Sequence, residues 1–408
     1  MARQEEQPKT PRDLRRQARE VADSLAIAFI LAMIIRHYVL EVFKIPTKSM
    51  EPTLLGDPWS GDKILVNKFA YDFRDPRRWE IAVFKYPQDT AKNYIKRVIG
   101  LPGETVLVRY GDVYINGAIA RKPWRVQESL WRLTPHSRSP EADPKPWRVT
   151  FPDGSQQQSA DAEFTLDCTG GAGAEAELRY MPRILAYEAP ANRPPTRPLP
   201  TDVTDDIMVE FHLIPREQAG ALSVEIPIVF PESQDESRAS VLDFWEVKLP
   251  LDRPELAPEV WRDGTLLAAG TPCRLPKGKA TLVQVCNVDL TFLVRVDGAE
   301  VVRKEYEPSD RMNQSASFAN EAHVLLRLDQ AHVTIRDPGV YVDVHYTDNP
   351  RAFAVRKPYQ LGGDEFFVLG DNSANSNDSR AWEKVPRSYL VGEAFLILWP
   401  LGRMKLVR

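Results

Sequence analysis

The pattern of hydrophobic and polar positions changes near residue 44. Before that point, one continuous apolar run, LAIAFILAMII at Leu25–Ile35, predicts a helix. After it, short apolar or alternating runs such as GDKILVNKFAYDF and WEIAVFKYP are separated by Gly, Pro and Asp, which is typical of β-strands joined by turns. We therefore predict a mainly β protein with an antiparallel sheet that follows an amino-terminal helix.

The apolar run is a candidate membrane anchor. Its 11 residues, at about 1.5 Å each, fall short of a hydrocarbon layer of about 30 Å, so a longer segment, 21–43, is needed. The longer segment includes Asp23, Arg36, His37 and Glu41. Because Arg36 lies past the middle and can extend toward the interface, we predict one transmembrane helix over 21–43. A buried core helix is the alternative.

The tail in front of this segment carries six Lys and Arg residues. Lys and Arg in a short flanking segment favour the cytoplasmic side. We therefore predict a cytoplasmic tail at 1–20, with the rest of the chain on the outer face of the cytoplasmic membrane. A cleaved signal peptide is the competing interpretation, but no site with small residues follows the apolar run.

The strand pattern divides the chain further. It continues to about residue 122 and returns near the end in DEFFVLGDN and LVGEAFLILWP. The intervening segment differs and includes the proline-rich stretch EAPANRPPTRPLPTD. We predict a core built from 44–122 and 361–408, interrupted by an inserted β-rich domain at 123–360.

Composition excludes one class of partner. The 408 residues carry a net charge of −4, so no basic excess is present to neutralise a phosphate backbone, and we expect no nucleic acid partner. Cys168, Cys273 and Cys286 lack metal-ligand spacing. Cys273 and Cys286 could pair in an oxidising compartment, or all three could be unpaired thiols.

Ser49, between two prolines in IPTKSMEPTL, is a candidate nucleophile that needs a base. All six histidines lie outside the terminal strand blocks, but Lys96 lies on a predicted strand beside Ile95 and Val98. Burial would have to lower a lysine pKa from about 10.4 to roughly 7 or 8 for this role. Strand alternation sends Lys96 and Arg97 to opposite faces, so we expect one to be buried and the other solvated. An exposed strand lysine is the alternative.

Four segments, IPTKSMEPTL, GDKILVNKFAYDF, YIKRVIGLPGE and LGDNSANSNDSRAW, occur in this order. Together they resemble the motif boxes of bacterial type I signal peptidase, the serine/lysine leader peptidase. The resemblance covers roughly residues 20–122 and 361–408. It implies a membrane-bound serine endopeptidase that removes signal peptides from exported preproteins after small residues at the first and third positions before the cleaved bond. It implies no metal or cofactor, and the partners that it suggests are preprotein signal peptides, the lipid bilayer and the secretion machinery.

The resemblance also implies roles for individual residues. Ser49 falls on the family's nucleophile and Lys96 on its general base. The hydroxyl of Thr47, where the family often has Ser, and the backbone N–H of Ser49 match the oxyanion hole. Ser376 falls on the serine that orients the lysine amine.

Four further positions match supporting residues. Ile45 and Ile95 correspond to residues that line pockets for small side chains, and Asp378 and Arg380 to residues that buttress the site. The last box departs from the family pattern G-D-N-R-D-N-S, because this chain reads GDNSANS. Since Ser376, Asp378 and Arg380 are present, we expect catalysis to be retained.

Two other classes of protein remain as alternatives. SOS repressor autoproteases have a related serine/lysine fold, but the basic amino-terminal domain expected of them is missing here. The other alternative is a non-catalytic, membrane-tethered β protein that binds a ligand or partner through 123–360.

Overall fold

The computed structural model describes residues 11–34, 39–109, 111–134, 146–151, 156–157, 162–169, 175–182, 184, 204–231, 239–252, 255, 257–307, 323–347 and 351–407. The chain divides into two compact units. Unit 1 comprises Met1–Gly103, Leu361–Gly370 and Asn377–Arg408, and unit 2 comprises Glu104–Gln360 and Asp371–Ser376. The domain boundaries drawn from the sequence, at 122 and 360, stay predictions.

The described helices are α1 (Pro11–Ile34), α2 (Ala70–Phe73), α3 (Trp124–Leu130) and α4 (Ser379–Trp382). The strands up to the middle of the chain are β1 (Leu40–Lys44), β2 (Lys63–Asn67), β3 (Ile81–Tyr86), β4 (Asp89–Gly100), β5 (Thr105–Arg109), β6 (Asp112–Ile115), β7 (Ala118–Ile119), β8 (Arg132–Leu133), β9 (Trp147–Thr150), β10 (Gln156–Gln157), β11 (Glu163–Asp167), β12 (Glu175–Tyr180) and β13 (Ile207–Pro215). The later strands are β14 (Ala221–Pro231), β15 (Ala239–Pro250), β16 (Glu259–Arg262), β17 (Thr265–Ala269), β18 (Thr281–Val288), β19 (Thr291–Val296), β20 (Ala299–Glu305), β21 (Leu325–Asp329), β22 (His332–Val342), β23 (Tyr359–Gln360), β24 (Glu365–Leu369), β25 (Val385–Pro386), β26 (Leu390–Trp399) and β27 (Lys405–Leu406).

Unit 1 is built on one antiparallel sheet. Its strand order is β1-β2-β26-β3-β4-β24-β25, and β27 pairs with β26. A hydrophobic cluster covers each face of this sheet, because successive residues of strand β3 belong alternately to two clusters. Ile81 and Val83 belong to one cluster, whereas Ala82 and Phe84 belong to the other. Residues 96–100 of strand β4, next to β3, are therefore buried in the interior of the unit, whereas residues 90–93 are exposed.

The described residues of unit 2 form three sheets. Two large ones have the orders β10-β9-β12-β21-β14-β15-β16-β17 and β11-β22-β13-β18-β19-β20, with β8 paired to β22. Their alternate residues meet in one core, for example Leu178 and Val247 from the first sheet with Phe211 and Val285 from the second. A small sheet has the order β23-β5-β6-β7. The predictions of a mainly β protein with antiparallel sheets are confirmed.

The prediction of a transmembrane helix over 21–43 is wrong in its carboxyl-terminal part. Helix α1 ends at Ile34, and Leu40–Lys44 form strand β1, which pairs with Lys63–Asn67. This pairing satisfies the backbone of residues 40–44 through the sheet, so they cannot also continue the helix. Residues 35–38, which include Arg36 and His37, lie outside the described residues. Within the described part of the chain, no helix is both long and apolar enough to cross a membrane.

The three cysteines are free thiols. Cys168 and Cys286 are buried, and Cys273 is partly buried. Burial raises the pKa of the Cys273 thiol to about 11. The sequence left open a disulfide bond between Cys273 and Cys286, and in the structure both residues are free thiols instead.

Candidate active site

Ser49 and Lys96 lie in contact, although 47 positions separate them in the chain. Ser49 is in the short 3₁₀ helix Lys48–Met50, and Lys96 is in β4. The Nζ atom of Lys96 is 2.8 Å from the Oγ atom of Ser49, within hydrogen-bond distance. Ser49 is 7% exposed and Lys96 3% exposed. A hydroxyl and an amine thus meet in an environment that excludes most solvent.

The sheet holds Lys96 in this position. In the register of the sheet Lys96 lies opposite Ala82 of β3, and its Nζ also donates to the carbonyl oxygen of Ile95 at 2.9 Å. The ring of Tyr94 lies 5.6 Å from the same nitrogen and stacks on Tyr86, with 4.2 Å between the ring centroids. These contacts limit the directions in which the amine can point.

Thr47 lies beside Ser49. Its Oγ1 atom is 3.4 Å from the Oγ atom of Ser49. The backbone of Thr47 is extended and leads directly into the 3₁₀ helix that carries Ser49. A hydroxyl is therefore available next to Ser49, and its role as an oxyanion-hole donor stays a prediction.

The loop after Ser49 is held by residues that the sequence did not single out. Gly56 lies so close to Thr47 that an added Cβ would be 1.7 Å from the Thr47 carbonyl oxygen. Asp62 accepts a hydrogen bond from the backbone N–H of Leu55, and Arg403 donates two bonds to the Asp62 carboxylate at 3.0 Å each. Since 341 positions separate Asp62 from Arg403, no local pattern could have revealed this pair.

Ile45 and Ile95 contact the same hydrophobic cluster. Ile45 is buried in it, and Ile95 packs against it while remaining partly exposed. Met50 and Leu54, which flank the loop of Ser49, belong to this cluster as well. The structure thus brings both isoleucines to the neighbourhood of Ser49, and their role as pocket residues stays a prediction.

Asp378 and Arg380 form a buried ion pair. Two guanidinium nitrogens of Arg380 donate to the two carboxylate oxygens of Asp378, at 2.9 and 2.8 Å. Asp378 also accepts from the backbone N–H of Gly370 and caps the amino terminus of α4. The pair therefore fixes the turn that follows β24, which fits a supporting role.

Ser376 belongs to unit 2, whereas Lys96 belongs to unit 1. The Oγ atom of Ser376 is buried and has no hydrogen-bond partner in the part of the chain that the structure describes. Its role as the residue that orients the amine stays a prediction.

The expectation that Arg97 is solvated is wrong. Arg97 is 0% exposed, and its guanidinium donates to the carbonyl oxygen of Trp79 at 2.8 Å and to Oγ1 of Thr53 at 3.2 Å. Alternation does send neighbouring side chains to opposite faces, but both faces of this sheet are covered. Burial on one face therefore does not imply exposure on the other.

A protein-family model identifies the family of this chain. The model described as "Signal peptidase, peptidase S26" matches residues 18–159 and 294–399, which together make up more than half of the chain. The chain belongs to the signal peptidase family, peptidase S26. The matched residues of this peptidase S26 chain include Ser49, Lys96 and the ion pair of Asp378 with Arg380.

Curated relatives support this membership. Signal peptidase I of Pseudomonas aeruginosa is 40% identical over 113 residues, which cover 24% of this chain and 38% of that protein. The probable signal peptidase I-2 of Synechocystis sp. is 46% identical over 104 residues, which cover 24% of this chain and 45% of that protein. The chain thus spans less than half of the length of these two relatives.

Among solved structures, a Bacillus subtilis protein of unknown function with a galectin-like fold is 11% identical, with a TM-score of 0.31, over 52% of this chain and all of that chain. A TM-score this low supports no conclusion about unit 2.

Proposed function

We propose that this protein is a serine endopeptidase that removes signal peptides from exported preproteins, with Ser49 as nucleophile and Lys96 as general base. The observation that carries the proposal is the buried contact of 2.8 Å between Lys96 Nζ and Ser49 Oγ. A nucleophile within hydrogen-bond reach of a base is the arrangement that covalent catalysis needs.

Burial explains how a lysine can act as a base. An amine that is removed from water favours its neutral form, because the ammonium loses hydration. Neutral Lys96 takes the proton of Ser49 while Oγ attacks the carbonyl carbon of the scissile bond. The amine then gives this proton to the leaving nitrogen, and an acyl-enzyme remains. In the second half, Lys96 takes a proton from water, which attacks the ester carbonyl, and the proton returns to Ser49.

Negative charge develops on the carbonyl oxygen in both halves. The backbone N–H of Ser49 and the hydroxyl of Thr47 are the donors for this charge in the proposed scheme. The hydroxyl lies next to the nucleophile, and the close approach of Gly56 to Thr47 keeps this segment in place. Donors fixed before the reaction stabilise the transition state without reorganisation.

The proposed substrate is an extended segment with small side chains at the first and third positions before the cleaved bond. Ile45 lies in the hydrophobic cluster that includes Met50, and Ile95 packs against it; in this proposal their branched apolar side chains favour small apolar partners over large or charged ones. An extended peptide contributes backbone hydrogen bonds along a strand edge, which makes recognition largely independent of the remaining sequence.

We further propose that unit 1 contacts a lipid bilayer and acts on the outer side of the cytoplasmic membrane. Helix α1 has a series of exposed apolar side chains: Val21, Leu25, Ile27, Phe29, Ile30 and Met33. Three more apolar side chains of unit 1 are also exposed, namely Trp59, which is 91% exposed, Trp399 and Leu401. Contiguous exposed apolar surface, such as a series along one helix, marks sites of interaction with membranes or proteins.

The test is cleavage of a purified preprotein by the full-length chain and by Ser49→Ala and Lys96→Ala. Both variants should lose cleavage. Lys92→Ala is the matched control, because Lys92 lies on the same strand, is largely exposed and pairs with Asp89. Cleavage at an unchanged rate by both active-site variants would show that other residues carry out the reaction.

A further inference from the structure

Unit 2 contains a group of buried carboxylates that the proposed reaction does not use. Five aspartate side chains, each no more than 9% exposed, come from four segments of the chain. We call them the aspartate cluster: Asp112, Asp205, Asp206, Asp289 and Asp343. Asp206 interacts electrostatically with each of the other four. So many carboxylates in a dry environment are costly unless cations or protons compensate them.

One lysine reaches the cluster. The Nζ atom of Lys122 contacts Asp289 and lies 2.9 Å from Oδ2 of Asp343. Gln127 donates to the other oxygen of Asp343 at 2.7 Å. Burial lowers the pKa of Lys122, but Asp289 and Asp343 outweigh this effect and raise it well above its usual value. Lys122 is therefore charged, and its ammonium group compensates the charges of the Asp289 and Asp343 carboxylates.

Asp206 lacks a comparable contact. Its Oδ1 atom is buried and has no hydrogen-bond partner among the described residues. Within the part of the chain that the structure describes, the charged groups that interact with it most strongly are the other four aspartates, and Lys122, which also interacts with Tyr346, acts on it as well. Burial, followed by repulsion from Asp112 and the other aspartates, raises the pKa of Asp206 well above its usual value.

A metal ion is the other way to compensate such a cluster. Within the described residues, no group of three or more His, Cys, Asp or Glu side chains is arranged to hold one. The ammonium group of Lys122 among the carboxylates would also repel a divalent cation. A proton avoids both difficulties, because it needs no set of ligands.

We propose that the aspartate cluster is a proton-binding site, in which Asp206 takes up the proton and thereby makes the stability of unit 2 depend on pH. This inference concerns residues outside the proposed active site and does not rest on the proposed function. Asp112 lies in β6 of the small sheet, and the other four aspartates lie next to β13, β18 and β22, which belong to one large sheet. Deprotonation would therefore weaken the packing between these two sheets.

The direction of the effect follows from the raised pKa. A carboxyl whose pKa is higher in the folded than in the unfolded state stabilises the fold fully below its unfolded value, about 3.8. That stabilisation is lost as pH rises through the folded value. Carboxylates elsewhere with lowered pKa values, such as Glu300, act in the opposite direction, so a variant must isolate the contribution of Asp206.

Hydrogen–deuterium exchange of the full-length protein, followed by mass spectrometry of peptides from β13 and β18, reports on this part of unit 2. Protection factors of the wild type should fall from mildly acidic to mildly alkaline pH, by up to about tenfold for each pH unit crossed below the folded pKa of Asp206. D206N should keep its protection at alkaline pH, because the buried charge is absent. D329N, at an exposed aspartate of the same unit, should follow the wild type.

Infrared difference spectroscopy gives a second readout. The carbonyl stretch of a protonated carboxyl group should be present in the wild type near neutral pH and absent from D206N. If D206N does not fold, D206E keeps the carboxyl and should retain the band. Equal pH dependence of D206N and wild type would overturn the proposal. A second result would also overturn it: calcium stabilises the protein and removes the pH dependence, and a chelator reverses both effects. The site would then bind a cation rather than a proton.

Discussion

Replacement of Lys96 by Met separates catalysis from stability. Methionine has nearly the length of lysine and is apolar, so it suits a site that is almost closed to solvent. The substitution removes two hydrogen bonds, to Ser49 Oγ and to the Ile95 carbonyl, each worth about 1 kcal/mol. It also removes an amine whose burial costs about 1–3 kcal/mol.

The two contributions nearly cancel. We therefore expect the free energy of unfolding of Lys96→Met to stay within about 2 kcal/mol of the wild type, measured by urea denaturation. The value of kcat/KM for preprotein cleavage should fall by about 10²- to 10⁴-fold, because the general base is lost.

A double variant tests whether the two residues act as a unit. If Lys96 serves only to activate Ser49, then Ser49→Ala, Lys96→Met and the double variant should have nearly the same residual rate. Multiplicative losses would show that the residues act independently. A loss of activity that is matched by destabilisation of more than about 4 kcal/mol would refute the reasoning, because unfolding would then explain it.

Three further predictions concern the loop after Ser49 and a thiol. Gly56→Ala should lower both cleavage and thermal stability, because its Cβ would meet a backbone oxygen, whereas Gly363→Ala, with nothing within 4 Å, should change neither. Arg403→Ala should destabilise the protein by about 2 kcal/mol in urea, because it leaves the buried carboxylate of Asp62 without its ion pair; an unchanged midpoint would contradict this role. With a pKa of about 11, Cys273 should react slowly with iodoacetamide near neutral pH and faster as pH rises toward that value, and labelling as fast as that of a free thiol peptide would contradict its burial.

Some parts of this protein could be inferred from the order of residues. Short alternating runs predicted β-strands because alternate side chains of a strand point to opposite faces, and the structure has antiparallel sheets in both units. The four motif segments predicted the family, and the family model confirmed it. The predicted helix at the amino terminus exists, but its end did not follow from hydropathy, since the balance over 21–43 predicted one helix whereas Leu40–Lys44 pair with β2.

Other features depend on tertiary structure alone. Whether Lys96 is buried or exposed could not be read from a strand pattern, and neither could the burial of Arg97 on the other face of the same strand. The pair of Asp62 and Arg403 and the aspartate cluster join segments that lie far apart in the chain. Local sequence determines which backbone conformation each segment favours, whereas the surroundings of a charge are set by segments that only the folded chain brings together. For this reason Ser49 and Lys96 could be predicted as candidates from the sequence, whereas their contact in a buried environment depends on the tertiary structure.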